Sequence, residues 1–175
     1  MPWIIAPNDA DWASPEETKA EVLRLEETLG GRLTEPFRSF LETYNGGAVY
    51  PLIFRCGENE YYLDRLYSVE WIQHLLQGTV FGCGLPTGFL PIGQDPGGLE
   101  ILLCLEANRS GQIFAWPMTS EPWGGPTNSE ERLVKLGSCF RTFVQSLYDT
   151  EASEGWEHWY THRRRDLQRP LTLVC

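Results

Sequence analysis

The residues with the clearest claim to chemistry stand near the C-terminus, where Glu154, His158 and His162 recur every four positions. On a helix that spacing puts one carboxylate and two imidazoles on a single face, all of them ligand types that zinc accepts. A closed zinc site needs a fourth ligand, and the nearest cysteine, Cys175, lies beyond Pro170. Histidines four apart are also ordinary on a solvated helix face, and the expectation here is no metal and no cofactor. The adjacent HRRRDLQR has the composition of a nucleic-acid patch. Glu151, Glu154, Glu157 and Asp166 balance its charge, which favours a salt-bridged helix face.

Other catalytic constellations are absent from the sequence. A cysteine nucleophile needs a thiolate beside a histidine base. The chain has only His74, His158 and His162, and His74 falls in an amphipathic segment where a helix-surface role suffices. No G-x-S-x-G elbow, P-loop or G-x-G-x-x-G occurs, and GCGLPTG has spaced glycines without the lysine a phosphate cradle uses. The five cysteines, at 56, 83, 104, 139 and 175, are odd in number and form no CxxC pair. They read as reduced thiols of a cytoplasmic protein rather than a disulfide framework. The expectation is a protein that is not an enzyme.

Charge is the strongest compositional statement. The 175 residues carry 24 acidic against 14 basic side chains, a net charge of -10. Residues 1–149 hold 20 acids and 10 bases, and residues 150–175 hold four of each, so the body carries the whole excess. Such a surface disfavours nucleic acid, whose phosphates require lysine and arginine, and favours a basic partner. No apolar run approaches the ~20 residues of a membrane span. The opening MPWIIAPNDADW lacks a basic region and a cleavage pattern, so no signal peptide is expected.

These side chains must be positioned by a short list of elements. SPEETKAEVLRLEETLGG predicts a helix with Ser14 as cap, Glu17 completing a capping box, and Val22, Leu25 and Leu29 as its apolar stripe. TEPFRSFLETYNGG predicts a second, with Thr34 as cap and Phe37, Phe40, Leu41 and Tyr44 at i, i+3, i+4 and i+7. Asn45 and Gly46 suit the left-handed closure of that helix, and Gly47 frees the chain to reverse. AVYPLIF and YYLDRLY read as two strands about the turn RCGENE, and Ser68 opens a third helix with Val69, Ile72, Leu75 and Leu76 inward. FLPIGQ, LEILLCLE and QIFAWP read as three more strands, joined by DPGG, with Gly97 at positive φ, and by ANRSG. SCFRTFVQSLYD predicts a last helix capped by Ser138, with Phe140, Phe143, Val144 and Leu147 inward. The order α-α-β-β-α-β-β-β-α argues for an α+β fold, a central antiparallel or mixed sheet with helices against it. Residues 1–149 are expected to form one domain, and 150–175 a C-terminal extension packed on it.

The run LGGRLTEPFRSFLETYNGG, then LYSVEWI, then FLPIGQDPGGLEILLCLEANRSGQIFAW, then CFRTFVQSL resembles the SUKH superfamily, the Smi/Knr cell-wall-regulator-like domains. The resemblance spans about residues 16 to 148. It departs at Leu99-Glu100, where an aspartate is usual after the glycine turn, and at Glu106, where the next acid is glutamate rather than aspartate. It implies an α+β fold and, for the bacterial type, an immunity protein that binds and neutralises a protein toxin, often a nuclease. It implies structural roles for Asn45, Gly46, Gly47, Gly93, Gly98 and Trp116, and core positions for Trp71 and Trp116. A regulatory scaffold with an endogenous partner is the alternative the fungal relatives imply, and a hydrolase using a cysteine or histidine site is a third.

The sequence places candidate contacts to a basic toxin at Glu58, Glu60 and Asp64 around the first hairpin and at Asp95, Glu100 and Glu106 around the second. Trp3, Trp12, Trp123, Trp156 and Trp159 fall in ends or loops, where each either pins its segment to the body or anchors a partner.

Overall fold

Helical periodicity is realised where the sequence carries it. The structure, a computed structural model, describes residues 3–8, 12–77, 85–117, 129–150 and 165–173. Helix α1 (Pro15–Leu29) buries Val22 and Leu25, and the left-handed Gly30 closes it. The expected capping box does not form: Ser14 makes no side-chain cap bond, and the Thr18 hydroxyl instead donates to its carbonyl at 2.9 Å. Helix α2 (Phe37–Tyr44) buries all four stripe residues. It starts after Pro36, so Thr34 offers no side-chain cap, and the Glu35 carboxylate accepts the Ser39 amide instead. Helix α3 (Val69–Gln77) turns Val69, Ile72 and Leu75 inward. The short α4 (Phe140–Gln145) is capped by Cys139 rather than Ser138, with Thr142 completing the reciprocal bond.

Each of the two apolar runs read as one strand is split between sheets. AVYPLIF becomes β2 (Ala48–Tyr50) and β3 (Ile53–Cys56), interrupted at Pro51, which has no amide to give a ladder. The next run becomes β4 (Asn59–Tyr62) and β5 (Arg65–Leu66). The β3–β4 hairpin pairs Cys56 with Asn59, so its turn is only Gly57-Glu58, with Gly57 at φ 63°. The remaining strands are β1 (Ile4–Ala6), β6 (Phe89–Gln94), β7 (Glu100–Cys104), β8 (Ile113–Trp116), β9 (Val134–Gly137) and β10 (Arg169–Pro170). They form antiparallel sheets ordered β10-β1-β2, β3-β4 and β5-β6-β7-β8-β9. The fold is therefore α+β, with antiparallel sheets and helices packed on them.

The five-stranded sheet has two different faces. Leu90, Ile92, Ile101, Leu103, Ile113 and Ala115 enter the main core, with the stripes of the four helices. The opposite face carries a smaller cluster of Phe89, Leu102, Cys104, Phe114 and Trp116. Along one row of that face the register sets Arg65, Gln94, Glu100 and Trp116 side by side on β5, β6, β7 and β8. Three acceptor or charged groups thus sit where a strand pattern would place apolar ones.

The YNGG turn joins the layers. Asn45 is left-handed at φ 48°, its amide closes α2 on the Leu41 carbonyl, and its Oδ1 accepts the first amide of α3, Val69, at 2.9 Å. Gly46 passes so close to the β5–α3 backbone that a Cβ there would lie 2.7 Å from Ser68 N, and one on Gly47 would lie 2.5 Å from the Ala6 carbonyl oxygen. Near the other end of the chain, β10 pairs with β1, Leu171 enters the core, and the Tyr44 hydroxyl donates to the Pro170 carbonyl at 2.9 Å.

Candidate partner-binding surface

The two-residue turn between β3 and β4 puts Glu58 at the exposed tip of a hairpin. Glu60, two residues on, is also exposed but engaged: it lies 3.4 Å from Arg55 and accepts a hydrogen bond from the Tyr148 hydroxyl. That hydroxyl, with Arg55, holds the Glu60 carboxyl below its ordinary value. Asp64 is partly covered, accepting from Arg65 Nε at 2.7 Å and from Gln94 Nε2 at 3.2 Å. Glu106 is partly covered as well. It pairs with Arg109 at 2.6 Å, whose guanidinium lies over the rings of Phe89 and Phe114. Glu58 and Glu60 thus stand together on one hairpin, whereas Asp64 and Glu106 belong to separate local ion pairs.

Asp95 and Glu100 require a correction. Both were expected at the surface, and both are buried, with 8% and 5% exposure. Asp95 spends its charge inside the DPGG turn, where its carboxylate accepts the Leu99 amide. Gly98 at φ 91°, rather than Gly97, supplies the positive φ of that turn. Glu100 lies on the outer face of β7 with both oxygens 2.9–3.0 Å from the Tyr67 hydroxyl. An acid between two strands is read as a turn charge when the alternation of faces is not known in advance.

Glu100 belongs to a chain of polar groups that no motif announces. Tyr67 is buried, and its hydroxyl also lies 2.8 Å from Gln94 Oε1. Gln94 in turn donates to Asp64, which holds Arg65. One hydroxyl proton therefore faces three acceptor oxygens. Burial, helped by the nearby Asp95 charge and opposed by Tyr67, pushes the Glu100 carboxyl up to about 7. The Tyr67 hydroxyl is itself raised, by burial first and then by Glu100. A carboxyl that keeps its proton donates to the Tyr67 oxygen, freeing the tyrosine proton for Gln94.

Trp71 also departs from expectation: 45% exposed, it lies outside the core. It is the third residue of α3, with its amide donating to the Ser68 hydroxyl and its ring beside Tyr67 and His74, at centroid distances of 6.4 and 5.2 Å. A cleft of about 440 Å³ opens there, lined by Asn8, Arg65, Tyr67, Ser68, Glu70, Trp71 and His74. A second, of about 360 Å³, shares Asn8, Ser68 and Glu70 with it and runs along α1 past Glu17, Glu21 and Arg24. The signal for this site was present as an apolar-polar mismatch: the α3 stripe is Val69, Ile72 and Leu75, and Trp71 is off it. Trp116, by contrast, is buried in the outer-face cluster, and Gly93 is where a Cβ would lie 2.7 Å from the Arg65 carbonyl oxygen.

Among the described residues no cysteine is set beside a histidine base. Cys56 and Cys104 are free and buried, and burial raises both thiols above their ordinary value. His74 has Trp71 as its ring neighbour. Among the described residues no group of three or more histidines, cysteines or acids is disposed to hold a metal, and no helix is long and apolar enough to cross a membrane. Glu154, His158 and His162 lie outside the described residues, as do Cys83, Cys175, Trp123, Trp156 and Trp159.

Comparison with curated proteins gives no match. Residues 16–146 match a family of known domains, a stretch that runs from the first turn of α1 to the end of α4 and leaves β1 and β10 outside it. On that match, over most of its length, the chain belongs to the SMI1 / KNR4 family (SUKH-1).

Proposed function

We propose that this protein is a non-catalytic immunity protein that binds a cognate toxin of basic surface and neutralises it by occupying it. Membership of the SUKH-1 family is the observation that carries this reading, because the family is consistent with an immunity role exercised through protein binding. The charge of the chain supports it: a body of net charge -10 attracts a basic partner and repels nucleic acid. Glu58 and Glu60 on the β3–β4 hairpin, with Asp64 and Glu106, are the proposed acidic contacts. The buried, protonation-favouring thiols of Cys56 and Cys104 support binding rather than covalent catalysis.

The test is co-expression with the C-terminal domain of a candidate toxin sought among the neighbouring genes. Cells that die with the toxin alone should grow with both, and the two proteins should elute together from a sizing column at equimolar ratio. Cell death unchanged by the protein, with no complex formed, would overturn the proposal.

A further inference from the structure

The first turn of α3 leaves a large aromatic side chain half open to solvent. Among the described residues only Leu23 and Trp71 are large hydrophobic side chains left open, and Trp71 is the aromatic one. Its ring is already held, edge-on to the buried Tyr67 and tilted against His74. A tryptophan so fixed loses little rotamer freedom on contact, the property that makes such residues the centres of protein interfaces.

The charges around it select the partner. The two connected clefts carry Glu17 and Glu21 from α1 and Glu70 from α3, opposed by Arg24. Arg65 also lines the cleft, but Asp64 at 2.7 Å neutralises it. An anion would need free amides at the start of α3, and two of these are taken: Val69 by Asn45 and Trp71 by Ser68. A cation finds Glu70 beside the half-exposed indole of Trp71, with Glu17 and Glu21 in the adjoining cleft. Among cationic side chains, the planar guanidinium stacks on such a ring while donating to carboxylates at its edge.

We infer that the trough formed by the two adjoining clefts at the start of α3, one beneath Trp71 and the other running on along α1, is a docking site for an arginine-bearing basic segment of a partner protein, with Trp71 as the platform and Glu70, Glu21 and Glu17 as the acidic wall. The inference rests on the toxin-binding proposal for its biological partner, and deepens it by assigning the anchor to a face distinct from the β3–β4 hairpin.

The experiment uses the full-length protein and fluorescein-labelled nona-arginine, nona-lysine and nona-glutamate, read by anisotropy at low salt. Nona-arginine should bind several-fold tighter than nona-lysine, and nona-glutamate should not bind. Trp71→Ala should weaken nona-arginine at least fivefold with Trp71→Phe recovering part of the loss, and Glu21→Lys with Glu70→Lys should weaken it at least tenfold. The control reversal Glu130→Lys with Glu131→Lys, on exposed acids of the 3-10 turn before β9, should change it less than threefold. Equal losses from both reversals, with Trp71→Ala without effect, would show diffuse attraction and overturn the assignment, as would preference for nona-glutamate. The same variants, checked for unchanged melting, then enter the co-expression assay. Full protection by the triple variant Trp71→Ala, Glu21→Lys, Glu70→Lys overturns this docking face and leaves the immunity role standing. Failure of the wild-type protein to protect overturns the immunity role, while the peptide titration still decides the trough.

Discussion

Glu100 is the residue whose chemistry the fold changes most. In the unfolded chain its carboxyl titrates at the ordinary value of 4.5, and in the fold burial moves it to about 7. The folded state therefore holds a proton that the unfolded state has lost over the interval between the two. Stability from this group is fully present below about pH 4.5, falls as pH rises, and is gone above about 7, a swing of up to about 3 kcal/mol. Glu100→Gln mimics the protonated carboxyl and keeps a donor for the Tyr67 oxygen, so it escapes the loss. Chemical denaturation of wild type and variant across pH 4 to 8.5 should give a stability difference in favour of the variant that grows through this window and then levels. A difference that stays constant with pH would mean that Glu100 is ionised in the fold. Nothing in the sequence marks this, because the shift arises from burial, which depends on the face of β7 on which the acid falls and outweighs the opposing hydrogen bond from Tyr67, 33 positions away.

Among the elements, the YNGG turn makes the most stringent demand on its sequence. Gly46 has φ 83°, and a Cβ at that position would meet the backbone of Tyr67 and Ser68 at 2.7 Å, where no side chain can yield. Gly46→Ala should lower stability by at least about 2 kcal/mol, from left-handed strain and the displaced α3 start together. Gly57→Ala is the contrast, since its φ is 63° but a Cβ there meets nothing within 4 Å. Its loss should be nearer 1 kcal/mol, and equal melting shifts for the two variants would remove the close approach as a cause. That turn was legible because glycine pairs after a helical stripe have few other uses, and the stripes of α1 to α3 were legible from their 3.6-residue period. The strands were less so. Pro51 and the Asp64 corner cut two apolar runs into four strands, and strand identity there depends on which distant edge each half meets. β1, β9 and β10 are two to four residues long and exist through partners far along the chain, so no local window displays them. Caps slipped by one or two residues for the same reason: Cys139 and Thr142 satisfy the α4 amides that Ser138 was expected to meet.

For the molecule as a whole, the placement of charge and of aromatic surface separates two phases of binding. The proposed hairpin contacts, Glu58 and Glu60, are exposed and project from the edge of a two-stranded sheet. Charges of that kind act at a distance before contact, and salt screens them over about 8 Å at physiological ionic strength. Trp71 acts only once it is touched. An acidic body meeting a basic toxin domain should therefore associate faster than the ~10⁵–10⁶ M⁻¹s⁻¹ typical of neutral partners. The rate should fall by more than tenfold from 20 to 500 mM salt, while dissociation changes little. Glu58→Lys with Glu60→Lys should slow association several-fold, although part of the effect of Glu60 is already balanced by Arg55. Trp71→Ala should leave association within about twofold and speed dissociation, because loss of a buried anchor shortens the lifetime of a complex rather than delaying its encounter. Surface-plasmon kinetics with immobilised toxin domain, across a salt series and on both variants, measures each rate separately. An association rate indifferent to salt and to the hairpin reversal would remove electrostatic steering from the mechanism. A Trp71→Ala effect on association alone would place the ring at the rim of the interface rather than under it.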